Sequence, residues 1–163
     1  CNRPDNRNGW RLKSMNLLEI NSHMRQRPPF QMIERVTELV PGKSATGIKC
    51  VSVNEPYFEG HMPGYPIMPG VLLIETCAQL CSLVIEQDGI DEDKIYVLLK
   101  VKDFKFVKAV IPGDRLEIKA ECLRAGTGLF EFDVQVFCDG KLRAKGDLMF
   151  TAVDKESIYQ EES

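Results

Sequence analysis

A histidine and a glutamate share the run HMPGYPIMPGVLLIE, with His61 at its head and Glu75 at its end. An imidazole takes a proton near neutral pH, and a carboxylic acid short of water can give one. Such a pair suits elimination or addition of water across a carbon–carbon bond. Between them, Pro63, Gly64, Pro66, Pro69 and Gly70 specify one stiff path, because proline fixes φ and glycine follows backbone that other residues cannot. Gly64 adds a backbone N–H with no side chain beside it, able to approach a carbonyl and stabilise negative charge developing on its oxygen. A helix starting near Gly70 or Val71 would turn its positive dipole end toward the same place.

Each of these residues also has a plainer reading. A histidine among prolines more often serves a structural hydrogen bond, and Gly64 can be a turn glycine. Glu75, Gln79, Ser82 and Glu86 fall at the spacing of the polar stripe of an amphipathic helix, whose solvated face would explain all four. Against that, the stripe is narrow and the rest of the helix apolar. In a small fold the start of the stripe then faces protein, and desolvation raises the pKa of Glu75 toward what a general acid requires.

The elements that must position these residues follow from periodicity. Residues 1–14 are polar and unpatterned, Met15 offers a natural start, and the leader is expected to be disordered, either added sequence or an upstream extension. A short helix is expected over Leu17 to Ser22, and Pro28 and Pro29 bar a helix before the β-like run Phe30 to Val40. Pro41-Gly42 turns the chain into a return strand, Thr46 to Val53. Val71 to Glu86 predicts the one long helix, stopped by Gly89. Strands are predicted at Ile95 to Lys105, at Arg115 to Leu123 and at Phe130 to Cys138. Asp139-Gly140 then makes a hairpin turn, and Leu142, Ala144, Gly146, Leu148, Phe150 and Ala152 form the inward face of the last strand. One apolar helix among five or six antiparallel strands buries both surfaces best when the sheet curls around it, giving an α+β class.

With 163 residues, 44% hydrophobic and 28% charged, the chain has the composition of one globular domain, expected over 15–155, with a polar tail at 156–163. Glu75 and Gln79 interrupt the longest apolar run, so no membrane span is expected, and with no signal peptide in view the expected location is cytoplasmic. Cys1, Cys50, Cys77, Cys81, Cys122 and Cys138 are scattered at core-like positions without a CxxC pair, which argues against zinc and disulfides. A net charge of −3 with interleaved signs gives no argument for nucleic acid. Lys100, Lys102, Lys105 and Lys108 against Asp103 alone form a local basic stretch that could attract an acidic protein or a phosphate-bearing ligand, although on these residues alone a solvated strand face is the favoured reading.

The run NEPYFEGHMPGYPIMPGVLLIETCAQ, residues 54–79, closely resembles the signature of the bacterial β-hydroxyacyl-acyl carrier protein dehydratases of fatty acid synthesis. RPPFQMIERV at 27–36 and FKFVKAVIPGDRLEIKAE at 104–121 are similar to further segments of that family, so the likeness covers essentially everything after Met15. The resemblance implies the hot-dog fold, a long helix wrapped by an antiparallel sheet. It also implies that His61 removes the α-proton of a 3-hydroxyacyl thioester, that the Gly64 amide polarises the thioester carbonyl, and that Glu75 assists departure of the β-hydroxyl, with Gln79 in support. The substrate would ride on the phosphopantetheine of an acyl carrier protein docked near Lys102, Lys105 and Lys108, with no metal or redox cofactor. The active site would be shared across a homodimer, His61 of one subunit facing Glu75 of the other, in a trimer of dimers.

Met62 stands where the family usually has phenylalanine, Gln26 where it has histidine and Pro28 where it has an aromatic residue; Tyr96 lies one position from the usual tyrosine. These departures bear on packing and tunnel shape. Two other functions fit the fold. A hot-dog thioesterase also carries a carboxylate on its helix, but does not usually need this histidine loop. A non-catalytic acyl-CoA sensor would carry a helix-turn-helix segment ahead of the domain, which the residues before Phe30 do not provide.

Overall fold

Alternation in RLEIKAECL and its neighbours produces half-buried strands, and the apolar run after Pro69 produces the helix they cover. The computed structural model describes residues 12–87 and 89–162. Its elements are β1 (Lys13–Met15), α1 (Leu17–Asn21), β2 (Arg35–Val40), β3 (Ser44–Cys50), α2 (Gly70–Ile85), β4 (Lys94–Phe106), β5 (Arg115–Gly126), β6 (Leu129–Cys138) and β7 (Lys141–Asp154). The strands form one antiparallel sheet in the order β1-β2-β3-β5-β6-β7-β4, which leaves β1 and β4 at the edges.

Leu116, Ile118 and Ala120 of β5 are buried, as are Phe132, Val134 and Val136 of β6 and Ala144, Leu148 and Phe150 of β7. These inward residues meet Leu73, Cys77, Leu80, Cys81, Leu83 and Val84 of α2 in a single core. Burying a leucine or phenylalanine contributes about 1.5–3 kcal/mol, so this contact outweighs any local preference in fixing the helix against the sheet. Gly47 of β3 lets α2 come close, since a Cβ there would stand 2.9 Å from Leu80 Cδ1. The Asp139-Gly140 turn has φ values of 50° and 75°, the pair of positive angles that a tight hairpin with matched twist requires.

Several expectations change. Among the described residues the sheet has seven strands instead of five or six. The added one, β1, includes Lys13 and Ser14, which the sequence reading set aside; residues 1–11 lie outside the described residues. Phe30 to Glu34 is not strand, because the Phe30 carbonyl and Met32 amide bond the side chain of Gln79 instead of a neighbouring strand. The return strand begins at Ser44 and ends at Cys50, short of Val53. Cys50 is exposed and Cys122 partly so, whereas Cys77, Cys81 and Cys138 are buried; all five are free thiols.

Candidate active site

The His61 loop is built by two turns in succession. A 3-10 turn over Pro56–Glu59 ends with the His61 amide donating to the Tyr57 carbonyl at 3.0 Å. The next turn closes with the Tyr65 amide on the Met62 carbonyl at 2.9 Å. Pro63 is its second residue and Gly64, at φ 86°, its third. Proline second and a positive-φ glycine third make a type II turn. No neighbouring group lies within 4 Å of where a Gly64 Cβ would sit, so the glycine is required by backbone angle and not by crowding. The Met68 amide then bonds the Val110 carbonyl at 2.8 Å, fixing the far end of the loop.

His61 Nδ1 lies 2.8 Å from the Ile67 carbonyl oxygen. A carbonyl only accepts, so Nδ1 carries a proton, and in the neutral ring the lone pair lies on the other nitrogen, Nε2. The loop thus presents an imidazole in the tautomer of a base.

Glu75 sits in the second turn of α2, half-buried, and Gln79 one turn later is 1% exposed. Gln79 Nε2 donates to Glu75 Oε1 at 3.0 Å and to the Phe30 carbonyl at 2.9 Å, while its Oε1 accepts from the Met32 amide at 2.7 Å. Desolvation pushes the Glu75 carboxyl above its ordinary pKa, and the Gln79 hydrogen bond opposes that shift. With Gln79 and Glu86 buried, the polar stripe is not a solvated face. Within one chain, His61 bonds Ile67 and Glu75 bonds Gln79; no hydrogen bond links the two side chains. Around the helix start, the Phe106 ring covers Gly70, where a Cβ would lie 3.0 Å from it.

Lys102, Lys105 and Lys108 are all exposed. A bulge at Asp103, φ 51°, shifts the register of β4 so that Lys102 stands opposite Asp147 and Lys105 opposite Lys145. The bulge therefore keeps Lys102 and Lys105 on one face despite their odd spacing, and turns Phe104 inward onto Gly146. Among the described residues, no group of three or more His, Cys, Asp or Glu side chains could hold a metal ion, and no helix is long and apolar enough to cross a membrane.

Sequence reasoning missed Lys49. It shares the inward parity of Ala45 and Gly47 on β3, is 2% exposed, and forms ion pairs with Glu55 and, at 3.9 Å, with Glu34. A lysine on the apolar parity of a strand was the available signal.

The FabA-like domain family matches residues 24–146. A 3-hydroxyacyl-[acyl-carrier-protein] dehydratase FabZ of Polynucleobacter necessarius is 40% identical over 134 residues, which is 80% of this chain and 90% of that protein. Among solved structures, the dehydratase heterocomplex ApeI:P from Xenorhabdus doucetiae superposes with a TM-score of 0.73 at 19% identity, covering 86% of this chain and 97% of that one. A hot-dog-like protein from Thermanaerovibrio acidaminovorans gives 0.60 at 15% identity, over 74% and 87% of the two chains. Helix, wrapping sheet and stiff histidine loop thus occur together in a chain that belongs to the FabA-like family and has the hot-dog fold.

Proposed function

We propose that the protein dehydrates (3R)-3-hydroxyacyl thioesters carried on acyl carrier protein to trans-2-enoyl thioesters, in the cytoplasm, as a step of fatty acid elongation. The observation that carries this reading is the His61 Nδ1 bond to the Ile67 carbonyl, which leaves Nε2 as a base. His61 Nε2 takes the α-proton while the Gly64 amide stabilises the enolate oxygen of the thioester. Glu75, whose carboxyl pKa desolvation raises above its ordinary range, gives its proton to the β-hydroxyl, which leaves as water. Gln79 occupies Oε1 of the carboxyl and so presents Oε2 for that transfer. The cycle closes when solvent carries the proton from His61 back to Glu75. The thioester carbonyl itself acidifies the α-carbon, so the reaction requires no metal or redox cofactor.

The two reacting groups meet across a homodimer in this reading. β4 has one neighbour, β7, among the described residues, and exposes Leu98, Leu99, Val101 and Phe106, with Val107 just beyond its end, at 40–55%. An exposed apolar edge is a template for a second strand, here the same strand of a second copy. Three such dimers form the assembly, and Lys102, Lys105 and Lys108 lie where an acidic carrier protein docks.

Hydration of a crotonyl thioester, followed by loss of enoyl absorbance, tests the reaction; the reverse gain with a 3-hydroxybutyryl thioester tests its direction. His61→Ala and Glu75→Gln should each abolish turnover, and full activity in either removes the assigned role. Thiol release from a saturated acyl thioester without enoyl chemistry would instead identify a hydrolase.

A further inference from the structure

Lys49 stands between the two parts of the candidate site. Its neighbours of like parity, Ala45 and Gly47, face the helix, so strand geometry carries the ammonium group into the protein. A buried cation is tolerated only when paired. Its partners are Glu55 and Glu34, and the buried Tyr57 hydroxyl is kept neutral by its own burial and by those same carboxylates.

Each partner belongs to a different support. Glu55 immediately precedes the 3-10 turn: its carbonyl accepts from the Phe58 amide at 3.2 Å, and the next carbonyl but one, of Tyr57, accepts from the His61 amide. Glu34 accepts from the Cys50 amide at 2.8 Å and closes the segment whose Met32 amide holds Gln79, and through it Glu75. We propose that Lys49 is a positioning residue, a buried cation that ties the His61 loop to the support of Glu75. The inference rests on the roles proposed above for His61 and Glu75. It assigns Lys49 no contact with substrate. Without the charge, Glu55 loses the partner that holds the start of the 3-10 turn, and the His61 ring moves relative to the Ile67 carbonyl.

The test compares Lys49→Met, which keeps the stem and removes the charge, with Lys49→Arg, which restores it, in the full chain. Hydration of a crotonyl thioester gives kcat and KM, and 15N spectra of the imidazoles give ring position, with His23 as the internal reference. Lys49→Met should lower kcat about tenfold or more while KM stays within about twofold. The His61 Nδ1–H signal should weaken while that of His23 is unchanged, and Lys49→Arg should recover most of kcat. Unchanged kcat and an unchanged His61 signal overturn the proposal, as does a loss in Lys49→Met that tracks only its unfolded fraction. If Lys49→Met does not fold, Glu55→Gln replaces it, with the same kcat loss and His61 change expected and their absence overturning the role. Should the wild type hydrate no enoyl thioester, the proposed reaction fails, yet the His61 signal still decides whether Lys49 positions that ring.

Discussion

Gln79 donates to Glu75 Oε1 across one turn of α2, at 3.0 Å, while the rest of its amide holds the backbone of Phe30 and Met32. One buried side chain thus orients the carboxyl proposed as the acid and anchors the segment beside it. Gln79→Leu removes the donor that stabilises the charged carboxylate, so the Glu75 pKa should rise further. An acid must be protonated to act, and the alkaline limb of the dehydration profile in kcat/KM should therefore move to higher pH. The same change strands the buried Met32 amide, at a cost of about 1–3 kcal/mol in urea unfolding. A stable variant with an unshifted limb would separate Gln79 from Glu75.

Glu75 itself should work against stability at neutral pH. Its folded pKa lies above its unfolded one, chiefly through desolvation, so the folded state binds more protons in the window between them. The stability that protonated Glu75 contributes is complete below the ordinary carboxyl range and is lost as pH rises through the raised folded value. Glu75→Gln never ionises. It should therefore melt above the wild type near pH 8, with the gap in Tm closing as pH falls toward about 4, the unperturbed carboxyl range. Its loss of turnover over the same range would mark a stability cost kept for chemistry. A gap that widens on acidification would contradict the raised pKa.

The parts of this site that were legible in the sequence are local. Pro63 and Gly64 specify a type II turn by themselves, and period-two alternation in RLEIKAECL gives β5 its inward face. What could not be read depends on partners distant along the chain. The β1 strand has three residues and exists because β2 pairs with it, and Phe30 to Met32 leaves the strand path because Gln79, far along the sequence, satisfies its backbone. The proposed pairing of His61 with Glu75 across a dimer entered through family resemblance alone, since neither residue's spacing encodes a partner. Lys49 was legible in principle, because parity places it inward, but its two carboxylates were not.

Gly64 offers a sharp distinction between backbone strain and crowding. Its φ of 86° disfavours any L side chain, yet open space surrounds the Cβ position. Gly64→Ala should cost about 1–2 kcal/mol of loop stability, because a Cβ at positive φ strains the turn. The turn then relaxes by rotating the Pro63–Gly64 peptide, which carries the amide proposed to polarise the thioester. Asparagine tolerates positive φ better than alanine despite its larger size. Activity on crotonyl thioester should therefore fall in the order glycine, asparagine, alanine, valine. An order set by side-chain volume would indicate steric contact with substrate instead.

Gly146 tests how β4 is held. A Cβ there would stand 2.4 Å from Phe104 Cδ2 and 2.8 Å from its Cα, so both ring and backbone of the edge strand obstruct it. At Gly70 the three nearest atoms all belong to the Phe106 ring, the closest at 3.0 Å, and that residue is 49% exposed, so its ring can turn aside. Gly146→Ala should therefore destabilise the protein by about 1–3 kcal/mol, as overpacking does, while Gly70→Ala costs less. Because the displaced backbone belongs to the edge proposed to join two subunits, Gly146→Ala should also shift sedimentation toward monomer. Phe104→Ala alone opens a cavity, but in the Gly146→Ala background it relieves the ring clash. The double variant should be more stable than the sum of the two single losses, a coupling that neighbours in contact show and distant sites do not. Additive losses would place the strain at the Phe104 backbone and leave its ring without a part in holding β4.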